Sequence, residues 1–198
     1  MRRILVFCEG KTELTYIQLL NRLLRESDIF DLNFTIKNLE GVKTNNYFSI
    51  IKRFKGKDLK YFTDFYAWLD FDVFKRSKKS EAEIKTKIKS IKFNEKSVEL
   101  LLNHMNAEDF IILHEETSKI KEWTKVCDTR NHFNDPMHSV TYLPLFERIM
   151  PGYKKGFLSE LNRVKVETCI NNINASNIPF YSDIGKILEE IIARIKSS

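Results

Sequence analysis

Two short apolar runs, each ended by an acidic residue, constrain the fold of this chain more than any other feature. Residues 4–8 read Ile-Leu-Val-Phe-Cys and stop at Glu9, and residues 65–69 read Phe-Tyr-Ala-Trp-Leu and stop at Asp70, with Asp72 two positions further on. A short, continuous apolar run is typical of a strand that is buried on both faces of a parallel sheet. The sequence therefore predicts two buried parallel strands with carboxylates at their carboxyl ends.

Helical and strand-like segments alternate around these two runs. Glu13 falls where a negative charge suits the N-terminus of a helix. The pattern predicts a helix, a strand and a helix before the second run, and then a helix and a further strand, at residues 14–24, 34–37, 46–54, 84–91 and 98–102. Such alternation indicates an α/β fold with a mostly parallel, four-stranded sheet flanked by helices.

The last part of the chain reads as a helical C-terminal extension. Residues 157–173 and 183–195 have helical periodicity, whereas residues 117–136 are polar and mixed and predict a mobile insertion. The sequence contains no repeat and no Gly/Pro-rich linker. We therefore expect residues 1–115 to form the α/β core and residues 116–198 to form an insertion and a helical region packed on the same core.

Length, charge and cysteine content bound the class of protein. The 198 residues suffice for one sizeable core, and the formal net charge of +6 favours polyanionic partners. Cys8, Cys127 and Cys169 lie far apart without a CxxC pair, which favours a reducing compartment. The first apolar run is too short for a signal peptide, and no stretch approaches the roughly 20 apolar residues of a membrane span. We expect a cytoplasmic protein without a membrane partner, and the oligomeric state stays open.

The strand-end acids predict a metal site. The carboxyl ends of neighbouring parallel strands meet at one edge of the sheet, so Glu9, Asp70 and Asp72 are expected in one crevice. Carboxylates a few ångströms apart repel one another unless a cation neutralises them. Mg²⁺ prefers oxygen ligands and suits phosphate chemistry. We therefore predict that these three acids bind Mg²⁺ or Mn²⁺ and take part in catalysis.

Both acidic segments resemble the motifs of a known domain. Glu9 before a glycine, with a later Asp-x-Asp, resembles the TOPRIM domain, and the closer likeness is to the RloB-like family. Residues 4–16, ILVFCEGKTELTY, look like that family's first strand and EGxTE turn, and residues 66–72, YAWLDFD, look like its second motif. The resemblance implies a TOPRIM-like Rossmannoid fold and a metal-dependent nuclease of bacterial antiphage defence. It does not distinguish DNA from RNA or identify a partner protein.

Two later segments extend the resemblance. Residues 106–114 resemble the family segment in which a Glu lies on a short helix after the fourth strand, which implies that Glu108 is a further metal ligand or lies just behind the ligands. Residues 153–155 resemble a Tyr-x-Lys element. Lys154 or Lys155 is expected to place a positive charge near the scissile phosphate, and Lys154 is the catalytic candidate.

Basic residues lie beside both acidic segments. Lys11 follows the first, and Lys75, Arg76, Lys78 and Lys79 follow the second. Because each neutralised phosphate releases counterions, basic groups beside a metal site strengthen nucleic-acid binding. We predict that these side chains contact nucleic acid, and an ordinary solvated surface is the alternative.

Two other functions explain part of the pattern. Asp70 and Asp72 also imitate the haloacid-dehalogenase motif, in which the first Asp attacks phosphate as a nucleophile, although that reading leaves Glu9 unexplained. The other alternative is a non-catalytic defence subunit that binds nucleic acid or a partner protein and keeps the acidic site as a vestige. Dependence on a divalent metal and on all three acids distinguishes a catalyst from a binding subunit.

Two further sites are weighed and set aside. A P-loop would need a glycine five positions before Gly10, where the chain has Leu5. Cys127, His132 and His138 could be drawn as a zinc site, but their spacing is irregular and a fourth ligand is not evident. Both histidines lie in polar surroundings and are expected in loops or at the surface.

Overall fold

The computed structural model of the chain describes residues 1–39, 46–56, 59–76, 78, 80–156 and 160–198. Within α3, only the backbone of Val73 and Arg76 is described. The strands are β1 (Arg2–Cys8), β2 (Leu32–Asn38), β3 (Asp64–Asp70), β4 (Lys92–Phe93) and β5 (Lys96–Asn103). The helices are α1 (Lys11–Glu26), α2 (Tyr47–Arg53), α3 (Phe71–Arg76), α4 (Glu81–Lys89), α5 (Ala107–Ile111), α6 (Thr117–Thr129), α7 (Ser139–Ile149), α8 (Arg163–Ile173) and α9 (Gly185–Ser197). Short 3-10 turns lie at Leu59–Tyr61 and Ile112–His114.

The strands form one sheet in the order β2-β1-β3-β5-β4. The pairs β1–β2, β1–β3 and β3–β5 are parallel, and β4 pairs antiparallel with β5. The fold is therefore α/β with a five-stranded, mostly parallel sheet flanked by helices. The sequence analysis expected four strands and missed β4, which is only two residues long. Asn94 and Glu95 join β4 to β5 with φ angles of 50° and 67°, as in a type I′ hairpin turn.

Residues 4–8 of β1 and 65–69 of β3 are all apolar because helices cover both faces of the sheet. In β1, Ile4, Val6 and Cys8 belong to the hydrophobic cluster that includes residues of α1 and α5 to α9. Leu5 and Phe7 point the other way, into the cluster that includes residues of α2, α3 and α4. This two-sided burial explains the continuous apolar runs in the sequence.

The pairing of β1 with β3 positions the functional end of the sheet. Cys8 lies opposite Trp68 in the parallel register. The next residue, Glu9, continues the pairing, and its N–H donates to the Trp68 carbonyl at 3.2 Å. Because both strands end at the same level, Glu9 and Asp70 emerge side by side.

Residues 117–136 do not form the mobile insertion that their polar composition predicted. Thr117–Thr129 is helix α6, which buries Ile120, Trp123 and Cys127. These three residues recur at intervals of three and four, so a narrow apolar stripe is enough to dock an otherwise polar helix. The prediction was wrong because it weighed the polar majority of the segment over this stripe.

The C-terminal helices pack on the same cluster as α1, with buried residues that include Phe146, Val166 and Ile191. Helix α8 begins at Arg163, later than the periodicity suggested, because the Asn162 side chain caps it by accepting the Lys165 N–H at 3.0 Å. Residues 157–159, where the predicted helix began, lie outside the described residues. In the described ranges, no helix is both long and apolar enough to cross a membrane.

Removal of the Trp123 side chain tests how firmly α6 is docked. Trp123 is fully buried, and its indole N–H donates to Asp109 Oδ1 at 2.8 Å. We expect Trp123→Ala to lower the free energy of unfolding by about 3–5 kcal/mol, because it leaves a large cavity and an unpaired acceptor. Chemical denaturation measures this change. The exposed Lys121→Ala on the same helix should change it by less than about 0.5 kcal/mol, and equal effects for both variants would mean that α6 is not docked.

Candidate metal centre

The three acids predicted from the strand ends lie together. Glu9 and Asp70 are half-buried and Asp72 is buried. Glu9 Oε2 accepts the backbone N–H of Asp70 at 3.0 Å, which ties the end of β1 to the end of β3. Asp72 lies in the first turn of α3, and its N–H donates to the Met105 carbonyl at 2.8 Å. The strand order and these two bonds bring the three side chains to one edge of the sheet.

Asp70 is held in a fixed orientation by hydrogen bonds to both carboxylate oxygens. Asn103 Nδ2 donates to Oδ1 at 2.8 Å, and the Ala107 N–H donates to Oδ2 at 3.2 Å. Asn103 is itself oriented, since its Oδ1 accepts from Trp68 Nε1 at 2.9 Å and from Ser182 Oγ at 2.8 Å. Two donors on the amide oxygen leave the NH₂ group to face Asp70. Asn103 directly follows the strand predicted at residues 98–102 and was not among the site residues predicted from the sequence.

Glu13 joins these acids, although the sequence analysis gave it only a helix-terminal role. It lies in the first turn of α1 and is 2% exposed. Its carboxyl group hydrogen-bonds that of Asp70. Among the described residues, Glu13 Oε1 has no hydrogen-bond partner. The signal in the sequence was an acid one helical turn after Glu9, on a helix that starts directly at the strand end.

Glu108 also lies in this group, on the short helix α5. It is fully buried, and its Oε1 accepts a hydrogen bond from the Tyr153 hydroxyl at 2.8 Å. Within the described part of the chain, its Oε2 finds no partner. We call Glu9, Glu13, Asp70, Asp72 and Glu108 the acidic cluster.

Burial and mutual repulsion raise the pKa values of three carboxyls in the acidic cluster. Burial, followed by the charge of Glu13, raises the pKa of Glu9 to about 8. Burial, followed by the charge of Glu108, raises the pKa of Glu13 to about 7. Burial together with Glu13 and Glu9 raises the pKa of Asp70 well above its ordinary value. The cluster therefore holds protons at neutral pH that a cation could replace.

A loop from the C-terminal region closes one side of the acidic cluster. Thr15 Oγ1 donates to the Gly156 carbonyl at 2.8 Å, and the Gly156 N–H donates to Thr12 Oγ1 at 3.1 Å. Gly156 has a φ of +78°, and a Cβ there would lie 2.7 Å from Lys11 Cβ, so the close approach to α1 requires glycine. This anchor carries Tyr153 to Glu108.

The same loop places Lys155, not Lys154, at the acidic cluster. Lys155 Nζ donates to the Tyr142 hydroxyl at 3.1 Å, and its positive charge is one of the influences that lower the pKa of Glu13. Lys154, the catalytic candidate from sequence, is exposed. Because the Tyr-x-Lys pattern starts at Tyr153, its lysine is Lys155, so the sequence pattern already favours Lys155 over Lys154.

The basic residues predicted to contact nucleic acid are only partly described. Lys11 and Lys78 are exposed. Lys75 Nζ donates to the Phe133 carbonyl, and this bond holds the segment that follows α6. Lys79 and the side chain of Arg76 lie outside the described residues.

A second group of potential ligands, Asp109, Cys127 and His132, does not fit a metal ion. The three ligand atoms lie within 4.8 Å of one another and are buried. His132 lies in the loop after α6, as one of the two expectations had it, but it is buried and not at the surface. His132 Nδ1 accepts the Met137 N–H at 2.9 Å, and Nε2 lies 3.1 Å from Asp109 Oδ2. Nδ1 is thus unprotonated, so neutral His132 carries its proton on Nε2, the atom that would have to bind the metal. The group is a satisfied hydrogen-bond network. His138 is exposed at the start of α7.

The acidic cluster, by contrast, suits a divalent cation. Its donors are all hard oxygens, and two buried carboxylate oxygens, Glu13 Oε1 and Glu108 Oε2, have no partner among the described residues. Buried charged oxygens normally find a hydrogen-bond donor or a cation.

No match was found when the chain was compared with protein-family models, curated proteins and solved structures.

The raised pKa values predict how the metal-free protein responds to pH. Glu9 and Glu13 titrate near 8 and 7 in the folded state and near 4.3 when unfolded. Between these values the folded state holds more protons, so the free energy of unfolding falls as pH rises. Burial lowers the pKa of His114 to about 4, which affects stability only below about pH 6.5. We therefore expect Tm in EDTA to fall from pH 6.5 to 8.5.

The matched variant is Glu13→Gln, which removes one titrating group and should flatten this slope. Addition of Mn²⁺ should raise Tm of the unsubstituted protein more at pH 8.5 than at pH 6.5, because protons compete with the cation. Differential scanning calorimetry measures both effects. A Tm that is constant across the range and indifferent to Mn²⁺ would contradict the assignment.

Proposed function

We propose that this chain is a divalent-cation-dependent nuclease that hydrolyses phosphodiester bonds in DNA or RNA. One observation carries the proposal: five carboxylates meet at the carboxyl ends of adjacent parallel strands, and two of their buried oxygens lack a partner among the described residues. Ligands of open parallel sheets bind at this edge. Mg²⁺ or Mn²⁺ is the class of ligand that such oxygens select.

The residues of the acidic cluster would have different roles in the reaction. Glu9, Asp70 and Asp72 would hold the cation, and Glu13 and Glu108 offer further oxygens to it. When bound, the cation supplies charge stabilisation to a phosphoryl oxygen and lowers the pKa of an attacking water. Lys155 brings a positive charge toward the cluster, suited to the charge that develops on the phosphate.

We further propose that the sheet is a TOPRIM-like core and that the protein acts in bacterial antiphage defence. The support is the likeness of residues 4–16 and 66–72 to the first two motifs of the RloB-like family. The order of the elements agrees, since the EGxTE turn joins β1 to α1 and the Asp-x-Asp follows β3.

The geometry favours a metal ligand at Asp70 over a phosphatase nucleophile. Both of its oxygens accept hydrogen bonds, from Asn103 and Ala107, and its carboxyl group also bonds Glu13. The phosphatase alternative gives no role to Glu9 and Glu13, which lie beside Asp70, whereas a cation at Asp70 would use their oxygens. A phosphatase that uses Asp70 as its nucleophile would form an acid-stable aspartyl-phosphate, which mass spectrometry can detect.

The central test is loss of cleavage when single ligands are neutralised. Glu9→Gln and Asp70→Asn should each lower the rate of cleavage by on the order of 10²-fold or more, because they weaken cation capture and charge stabilisation of the transition state. The assay incubates labelled single-stranded, duplex and structured DNA and RNA with Mg²⁺ or Mn²⁺. EDTA should reproduce the effect of the variants.

Glu122→Gln is the matched control, since Glu122 is an exposed acid on α6. It removes the same charge and should leave cleavage unchanged. If Glu9→Gln and Asp70→Asn cleave as fast as the control, Glu9 and Asp70 do not take part in catalysis. If no protein cuts but all bind nucleic acid alike, the non-catalytic binding subunit is the better description.

The two adjacent lysines offer a matched pair for the position of the positive charge. Lys155→Met should lower the cleavage rate by about 10-fold or more, because it removes the cation that faces Glu13. Lys154→Met makes the same change one residue earlier in the loop and should have little effect, since the described contacts with Tyr142 and Glu13 are those of Lys155. Single-turnover rates at saturating Mn²⁺ separate the two, and a larger loss at Lys154 would reverse the assignment.

A further inference from the structure

A groove of about 560 Å³ lies between α2 and α4, on the face of the sheet opposite the C-terminal helices. Its lining is unusual in charge, since the described residues along it include four cations and no acid: Phe48, Ser49, Lys52, Arg53, Lys55, Lys87, Ser90 and Ile91. We call this the basic groove. None of the residues that line the basic groove is among the nucleic-acid contacts predicted from the sequence.

The four cations of the basic groove are exposed, and none forms an ion pair in the part of the chain that the structure describes. The nearest acid along α4, Glu83, is engaged in capping the helix, where its Oε2 accepts the Ser80 N–H at 2.8 Å. Elsewhere on the surface, by comparison, Arg22, Lys119 and Arg163 each pair with an acid one helical turn away. Among the described residues, no acid therefore compensates the positive charge of the groove.

Helix α2 links the basic groove to the acidic cluster. Tyr47, the first residue of α2, hydrogen-bonds the Glu9 carboxylate. The next residue, Phe48, lines the groove and contacts Phe74 of α3, with ring centroids 6.0 Å apart. Arg53, at the end of α2, lies about 9 Å further along the helix axis. A polymer whose reacting group sits at Glu9 can therefore continue into the groove.

We propose that the basic groove binds the phosphate backbone of the nucleic-acid substrate on one side of the scissile bond. This inference rests on the proposed nuclease function. Consecutive phosphates of a strand are spaced about 3.4 Å apart along a duplex axis. Because the backbone winds around that axis, phosphates along one strand are further apart than this, and the groove has room for about one or two phosphates beyond the acidic cluster. Lys87 lies with its Nζ 5.5 Å from the Phe48 ring centroid, which leaves an aromatic and cationic wall beside the backbone.

The test uses the whole chain and measures binding without cleavage. A fluorescein-labelled oligonucleotide, single-stranded or duplex, is titrated in EDTA at several salt concentrations, and fluorescence anisotropy gives the affinity. Lys52→Gln and Lys87→Gln together remove one cation from each wall. We expect this pair to weaken binding by about 10-fold and to lower the slope of log affinity against log salt by about 2.

Lys121→Gln with Lys125→Gln is the matched control. Both lysines are exposed on α6, and the buried side of that helix belongs to the hydrophobic cluster on the opposite face of the sheet. The control changes net charge equally and should preserve both affinity and salt slope. Equal losses in the two pairs would overturn the proposal, because the effect would then come from net charge. Displacement of the oligonucleotide by poly-glutamate as effectively as by unlabelled oligonucleotide would also overturn it and favour an acidic protein partner.

Hydrolysis of bis(p-nitrophenyl) phosphate with Mn²⁺ separates the basic groove from the acidic cluster. This small diester reaches the acids without entering the groove, so the Lys52 and Lys87 variant should hydrolyse it at the rate of the unsubstituted protein. If this variant hydrolyses the diester normally and also binds the oligonucleotide with unchanged affinity, the groove proposal is wrong and the nuclease proposal stands. If the Lys52 and Lys87 variant binds the oligonucleotide more weakly than the control does, but the unsubstituted protein hydrolyses no diester, the nuclease proposal is wrong. The groove would then still be a nucleic-acid-binding site.

Discussion

The repulsion among five buried or half-buried carboxylates is the interaction around which this structure is arranged. Parallel pairing of β1 with β3 forces Glu9 and Asp70 together, and the first turn of α1 adds Glu13 to them. Without compensation, such a group would oppose folding, because each charge is taken out of water and set beside others of the same sign. The pKa values of Glu9 and Asp70 are raised, and the carboxyl groups of Glu13 and Asp70 hydrogen-bond each other, so protons held by these groups relieve the repulsion when no metal is bound.

The neighbouring elements supply donors that fix the acids without neutralising all of them. Asn103 is the clearest case, since Trp68 and Ser182 occupy its carbonyl oxygen and direct its amide group to Asp70. Tyr153 donates to only one oxygen of Glu108. Orientation is thus rigid, while acceptor capacity is left for another ligand. A purely structural cluster would gain more stability if every buried oxygen were satisfied.

The sequence predicted the central sheet and the first three acids because both are local signals. An apolar run that ends in an acid specifies a buried strand and the position of its carboxylate at once. The place of Glu13 in the cluster and the choice of Lys155 over Lys154 follow from how α1 and the loop at Gly156 pack together, although the sequence offered a weaker signal for each. Helix α6 was missed because its buried stripe has three members in a polar segment. Strand β4 was missed because two residues carry no periodicity.

The sheet separates two tasks that the sequence does not distinguish. On one face, the C-terminal helices anchor the loop that brings Tyr153 to the acids, so this face shapes the chemistry. On the other, α2 and α4 expose the cations of the basic groove, while Tyr47 at the start of α2 reaches Glu9. Opposite charges that lay in one crevice would neutralise each other and weaken both cation and phosphate binding. If the chain is the nuclease that we propose, their separation along α2 would leave the acidic cluster able to bind a metal and the groove able to bind a polyanion.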